Sequence, residues 1–255
     1  MSVKIVDVYS DNLEQTINEI MDLVEQYPII GVDTEFPGSF HDPVFIAALS
    51  NKLPLSQLVQ SYQKFKVNID NMKLIQLGLS LSNDKGDHPA QADAYQFNFC
   101  FDLNNDLNNE KSIDLLRQHN IDFERFRTQG INPKYFSYQL MQSGLLCNPS
   151  ITWILFHGSY DIGYFVKSAT LHDLPLSSSE FIYLYQKLFP NIIDLKVALK
   201  WDSSLQNLMI QNQVERRGES HQAGSDALAT VDIFITKGAR MVRWESRGKI
   251  YEFEE

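Results

Sequence analysis

A chain of 255 residues with 44% hydrophobic and 21% charged residues has the proportions of a globular protein and excludes a disordered or fibrous one. A formal net charge of −10 argues against broad adhesion to nucleic-acid backbone or anionic lipid, so any nucleic-acid contact must be local. Cys100 and Cys147 make neither a CxxC motif nor a disulfide scaffold, and the N-terminal stretch MSVKIVDVYSDN lacks the apolar segment of a secretory signal. These features point to a soluble chain of a reducing, intracellular compartment, with no membrane span. About 73% of the extended chain's surface can be buried at this size, enough for one large domain.

Leu13, Ile17, Ile20, Met21 and Val24 recur at three- and four-residue intervals, which predicts an amphipathic helix over 12–26 with Ser10 or Asp11 as its cap. Residues 29–36 are mostly apolar and β-branched, the pattern of a buried strand closed by Pro37-Gly38. A weaker helical pattern follows over 55–65. Residues 72–81 and 95–101 alternate with period two, and the polar 82–94 between them carries the Gly and Pro of a hairpin loop, so an antiparallel pair is expected. The pattern is helical from 111 to 146, returns to a strand over 151–156, and then alternates helices with a short strand at 192–194. A long helix is expected from about 225 to 244. Strands followed by strand-helix alternation imply an α/β fold around a mixed sheet.

Asp33 and Glu35 lie two apart within the strand Ile30-Gly-Val-Asp-Thr-Glu-Phe36, so both carboxylates point to one face while Val32 and Phe36 point to the other. Two like charges on an apolar strand cost several kcal/mol unless protonated, paired or bound to a cation. Hard oxygen ligands at this spacing suit Mg²⁺ or Mn²⁺. Asp161 opens the helical pattern after Phe156-His-Gly-Ser-Tyr, and His221 stands five residues before Asp226 at the entrance to the last helix. Each of these alone is an ordinary cap or turn residue; their order along the chain, DxE, a distant Asp, then Hx₄D, is what points to one site. His157 is expected to serve as a structural hydrogen-bonding residue, Phe36 to be buried, and Arg216-Arg217 to form a solvated face.

That order resembles the DEDD exonucleases with a histidine in the third motif. Val32-Asp-Thr-Glu-Phe-Pro-Gly38, Lys73-Leu-Ile-Gln-Leu-Gly78, Gln96-Phe-Asn-Phe99, Phe156-His-Gly-Ser-Tyr-Asp-Ile-Gly-Tyr164 and His221-Gln-Ala-Gly-Ser-Asp226 are similar to the signature segments of the Caf/Pop-type deadenylases, the nuclease subunits of the Ccr-Not complex. The similarity runs from about residue 5 to 236, and is weaker over 40–70, over 82–94 and after Lys237. It implies a ribonuclease H-like fold, a mixed β-sheet flanked by α-helices, with residues 1–255 as a single exonuclease domain whose core spans about 5–244. It further implies that Asp33, Glu35, Asp161 and Asp226 hold two divalent ions, Mg²⁺ or Mn²⁺, with His221 as general base. The activity implied is 3′→5′ shortening of mRNA poly(A) tails with release of 5′-AMP. Implied partners are the single-stranded RNA 3′ end, a Not-type scaffold protein and a second deadenylase subunit, in the cytoplasm and also the nucleus. The rivals are a DEDD exonuclease acting on other short RNA or DNA, and a non-catalytic scaffold subunit of a deadenylase complex.

Overall fold

A computed structural model describes residues 3–42, 44–45, 48, 61–237 and 246–253. The chain begins with strand β1 (Ile5–Val8) and helix α1 (Leu13–Leu23), which buries Leu13, Thr16, Ile17 and Ile20. Strand β2 (Ile29–Glu35) follows, then α2 (Ser61–Asn71), the hairpin strands β3 (Gln76–Ser82) and β4 (Ala94–Asn98), and α3 (Glu110–Gln118), α4 (Phe123–Gln129) and α5 (Pro133–Gln142). The second half carries β5 (Thr152–Leu155), α6 (Ser159–Thr170), α7 (Ser178–Leu188), β6 (Ile192–Asp194), α8 (Leu195–Ala198), α9 (Leu205–Gln211) and α10 (Ala223–Lys237). The six strands form one sheet in the order β1-β4-β3-β2-β5-β6. Pairing of β4 with β3 and of β3 with β2 is antiparallel, whereas β1-β4, β2-β5 and β5-β6 are parallel. The expected mixed sheet and its hairpin are thus present. Among the described residues no helix is long and apolar enough to cross a membrane.

Several local expectations shift. The residue before α1 is Asn12 rather than Ser10 or Asp11, and its carboxamide turns back to accept from the Tyr9 N–H at 2.8 Å and donate to the Asp7 carbonyl at 3.0 Å. It stabilises the turn out of β1 instead of the helix start. The helical stretch 111–146 breaks into three helices, each beginning at an Asn or Asp whose side chain accepts a backbone N–H. The breaks fall at Asn120, which is left-handed with φ 63°, and at Gly130, where a Cβ would lie 2.2 Å from the Phe126 carbonyl oxygen. Helix α2 runs to Asn71, beyond the end expected at 65, because Lys66 pairs with Asp70 and Asn68 bonds the Phe40 backbone. Residues 55–60 of the expected 55–65 helix lie outside the described residues, as do 238–244 of the expected last helix. Strand β1 has no counterpart in the sequence reading.

What positions the site is the seating of α10 on the sheet. Glycines at two sheet positions let backbone approach backbone: a Cβ at Gly31 would lie 2.4 Å from the Ala227 carbonyl oxygen, and one at Gly78 would lie 1.9 Å from that of Ala223. Gly31, Asp33 and Glu35 alternate onto the same face, so this close contact sends both acids toward the start of α10. Gly78→Ala should therefore destabilise the fold by about 3 kcal/mol, the upper range for forced overpacking, and should lower activity by displacing the first turn of α10. A denaturation midpoint equal to wild type would show that α10 does not seat there.

Candidate active site

Asp33 and Glu35 reach the site from the C-terminal end of β2, and Asp226 from the first turn of α10, where the helix dipole favours an anion. Asp226 is buried, its Oδ2 accepts the His221 backbone N–H at 3.0 Å, and its Oδ1 accepts from the Arg216 guanidinium. His221 itself is left-handed, with φ 57°, a conformation that a non-glycine residue holds only when the surroundings fix it. Ligand-capable atoms of Glu35, His221 and Asp226 all lie within 4.8 Å of one another. Asp161 comes from the first turn of α6, buried, its Oδ1 accepting the Thr34 hydroxyl at 2.6 Å. The five residues singled out in the sequence therefore converge at one end of the sheet. A cavity of about 570 Å³ opens there, lined by Asp33, Arg216, His221 and Asp226 together with Phe156, Ser204, Leu205 and Gln206.

The electrostatics explain what this cluster demands. Burial, then the charges of Asp161, Asp226 and Glu35, push the Asp33 carboxyl well above its ordinary range, opposed by Arg216. Glu35 is pushed up to about 8, first by burial and then by Asp226 and Asp161. Asp161 is pushed up to about 7 by burial, against the hydrogen bond from Thr34. Asp33, Glu35 and Asp161 cannot all stay ionised here near neutral pH without added positive charge. An all-oxygen set of hard donors, half-buried to buried at the cavity, fits Mg²⁺ or Mn²⁺ and fits no thiolate-bound metal. His221 moves the other way. Burial, with smaller contributions from His119 and Arg216, lowers its pKa against the pull of Asp226, so its imidazole is neutral and able to accept a proton at pH 7.

A network of carboxamides holds the entrance to α10. Gln76 Nε2 donates to Asn98 Oδ1 at 2.8 Å and Gln222 Oε1 at 3.3 Å, and Gln96 Nε2 donates to Gln222 Oε1 at 2.9 Å and Asp7 Oδ1 at 3.1 Å. Asn98 Nδ2 also donates to Asp7 Oδ1, at 3.1 Å. The side-chain Oε1 atoms of Gln76 and Gln96 accept the N–H groups of Ala223 and Gly224, which have no partner within the helix. The segments Lys73–Gly78 and Gln96–Phe99 thus fasten the turn that carries His221 to the strand bearing the acids. Gln222 completes it by donating to the His119 carbonyl, and the rings of His119 and His221 stand 4.6 Å apart. Nothing local marks His119; only the fold brings the end of α3 to the cleft.

The lesser candidates resolve structurally. Phe36 stacks on Tyr160 and Tyr164 at 5.0 and 5.1 Å and packs on the core. His157 donates its backbone N–H to the buried Asp194, and its ring meets Tyr251 and Glu252. The expectation that Arg216-Arg217 forms a solvated face fails: Arg217 pairs with Asp93 and Asp232, while Arg216 turns into the cleft against Asp226. Consecutive residues on an extended loop project oppositely, and acids wait on both sides.

Residues 8–143 match the family model described as CAF1 family ribonuclease. The chain is 40% identical over 233 residues to the poly(A) ribonuclease pop2 of Schizosaccharomyces pombe, covering 90% of this chain and 68% of that protein. It is also 40% identical over 241 residues to the CCR4-NOT transcription complex subunit 7 of Caenorhabditis elegans, covering 91% and 76%. Among solved structures, S. pombe Pop2p in its Mg²⁺- and Mn²⁺-bound form superposes with a TM-score of 0.87 at 36% identity, over 97% of this chain and 99% of that one. The yeast CAF1 structure with the NOT1 MIF4G domain gives 0.78 at 28%, over 97% and 96%. Escherichia coli exonuclease I, at 0.50 and 12% over 82% of this chain and 40% of that one, shares the ribonuclease H-like fold alone. With the sequence segments, the sheet and the relatives in agreement, this chain belongs to the CAF1 family of ribonucleases.

Proposed function

We propose that this protein is a poly(A)-specific 3′→5′ exoribonuclease that shortens mRNA tails within a CCR4-NOT-type complex. The observation that carries this is the convergence of Asp33, Glu35, Asp161, His221 and Asp226 on one open cleft. Asp33, Glu35, Asp161 and Asp226 would hold the Mg²⁺ or Mn²⁺ ions, which would supply Lewis-acid neutralisation of the charge gathering on the phosphate. His221, neutral at pH 7, takes a proton from the attacking water. The new bond joins that oxygen to phosphorus, and the bond to the 3′-oxygen of the preceding nucleotide breaks. The products are 5′-AMP and an RNA one residue shorter, whose 3′-oxygen collects a proton from solvent. Asp226 orients the histidine by accepting its backbone N–H.

A relative that is a subunit of the CCR4-NOT complex and a family member co-crystallised with the NOT1 MIF4G domain support a Not-type scaffold as partner, and we infer a second deadenylase subunit beside it and mRNA in cytoplasm and nucleus as the substrate pool. We further infer that residues 5–244 act as one nuclease unit, because the first strand of the sheet lies at Ile5 and the acids are drawn from both halves of the chain. A 5′-labelled oligo(A) should give a descending ladder in Mg²⁺ that EDTA abolishes, and should be cut faster than oligo(U), oligo(C) or oligo(dA). An undegraded label in Mg²⁺ and Mn²⁺ would favour the scaffold reading, and equal rates on all four would favour a general exonuclease.

A further inference from the structure

We propose that Arg216 is a phosphate-binding residue of the cleft, which shares Asp226 with a bound cation and turns to the RNA backbone when the cation takes that carboxylate. The inference deepens the exoribonuclease reading and rests on it. Its geometry is unusual for a surface arginine. The side chain is 18% exposed, Nη1 lies on Asp226 Oδ1, and Nε donates to Gln206 Oε1 at 3.0 Å, both partners lining the cavity. Asp226 Oδ2 is already taken by the His221 N–H. A cation bound at Oδ1 therefore competes with the guanidinium for one oxygen.

The backbone at this point is fixed, so the side chain swings from an anchored Cα. Arg217 is tied to Asp232 at 2.8 Å and to Asp93 at 2.9 Å, and the Ser225 hydroxyl donates to the Arg217 carbonyl at 2.9 Å. The displaced guanidinium stays in the cleft, where the substrate is the available anion. Its planar fork matches two oxygens of a phosphate, which an ammonium cannot do. A chain of net charge −10 has to attract RNA through local cations of this kind.

The test is the opposite sign of two effects. Arg216→Met should bind Mn²⁺ more tightly by calorimetry, on the order of tenfold, since a positive neighbour a few ångströms away is gone. In a His221→Ala background with Mn²⁺, the same substitution should weaken oligo(A) binding about tenfold and reduce the log-log salt slope by about 0.7, one phosphate contact on a single strand. Arg216→Lys keeps the point charge and should retain the slope while binding RNA less tightly than Arg; it also serves as the comparison if the Met variant fails to fold. Weaker Mn²⁺ binding in Arg216→Met would mean that the guanidinium merely holds Asp226 in place and would overturn the proposal. So would unchanged affinity and slope for RNA. Failure of wild type in the EDTA ladder experiment would remove the nuclease reading itself, a result separable from either binding outcome.

Discussion

Asp33→Asn should lower RNA hydrolysis by at least about 10³-fold, because a metal clamp at the reacting phosphate contributes several kcal/mol of transition-state stabilisation. The same substitution should make the metal-free protein more stable above neutral pH. Asp33, Glu35 and Asp161 have folded-state pKa values raised above their unfolded values near ~4. Raised acids bind more protons folded than unfolded, so the contribution of these three to stability is fully present below about pH 4 and is lost as pH rises toward the Glu35 value of about 8. Removing one coupled charge makes that decline shallower. At pH 8 in EDTA the variant should melt roughly 3 °C or more above wild type, the shift that about 1 kcal/mol produces in a domain of this size. Saturating Mg²⁺ reverses the order: wild type gains about 2.7 kcal/mol at a hundredfold excess over Kd, and the variant gains less. Scanning calorimetry at pH 5 and pH 8, with EDTA and with Mg²⁺, checks all three expectations. Equal Mg²⁺-induced shifts in the two proteins would take Asp33 out of the metal site.

His221→Ala should lower turnover by about 10²- to 10⁴-fold, the range for a positioned general base. Metal binding should persist, because the bond from residue 221 to Asp226 comes from the backbone N–H, which alanine retains. Wild-type activity should rise with pH to a plateau, with the midpoint of the rise below the ordinary histidine value, since burial lowers this imidazole's pKa and the neutral form works. The variant should lose that rise. The proximity of the imidazole to Glu35 and Asp226 offers a rival role as a ligand. A His221→Ala protein whose Mg²⁺-induced melting shift collapses along with its activity would assign it that role instead.

How much of this was legible in the chain depends on what each element needs from its neighbours. The periodicity of 12–26, the alternation of 72–81 and 95–101, and the polar loop between them identified α1 and the β3-β4 hairpin, because side-chain period is a property of the local backbone. The two-residue spacing of Asp33 and Glu35 likewise placed them on one face, and the Gly31 contact with α10 shows which face that is. Strand β1 was invisible: four residues, Ile-Val-Asp-Val, carry too little pattern, and only parallel pairing with Ala94–Phe97 makes them a strand. The diverging paths of Arg216 and Arg217 were equally hidden, as they depend on Asp226 to one side and on Asp93 and Asp232 to the other. His119 beside His221, and the carboxamides of Gln76, Gln96, Asn98 and Gln222 around the start of α10, come from four separate stretches of chain. The sequence by itself determined which residues can ligate and which segments alternate, since these follow from residue type and backbone period. Tertiary structure alone decided which charges face one another, because the free energy of a buried polar group is set by partners across the fold rather than along the chain.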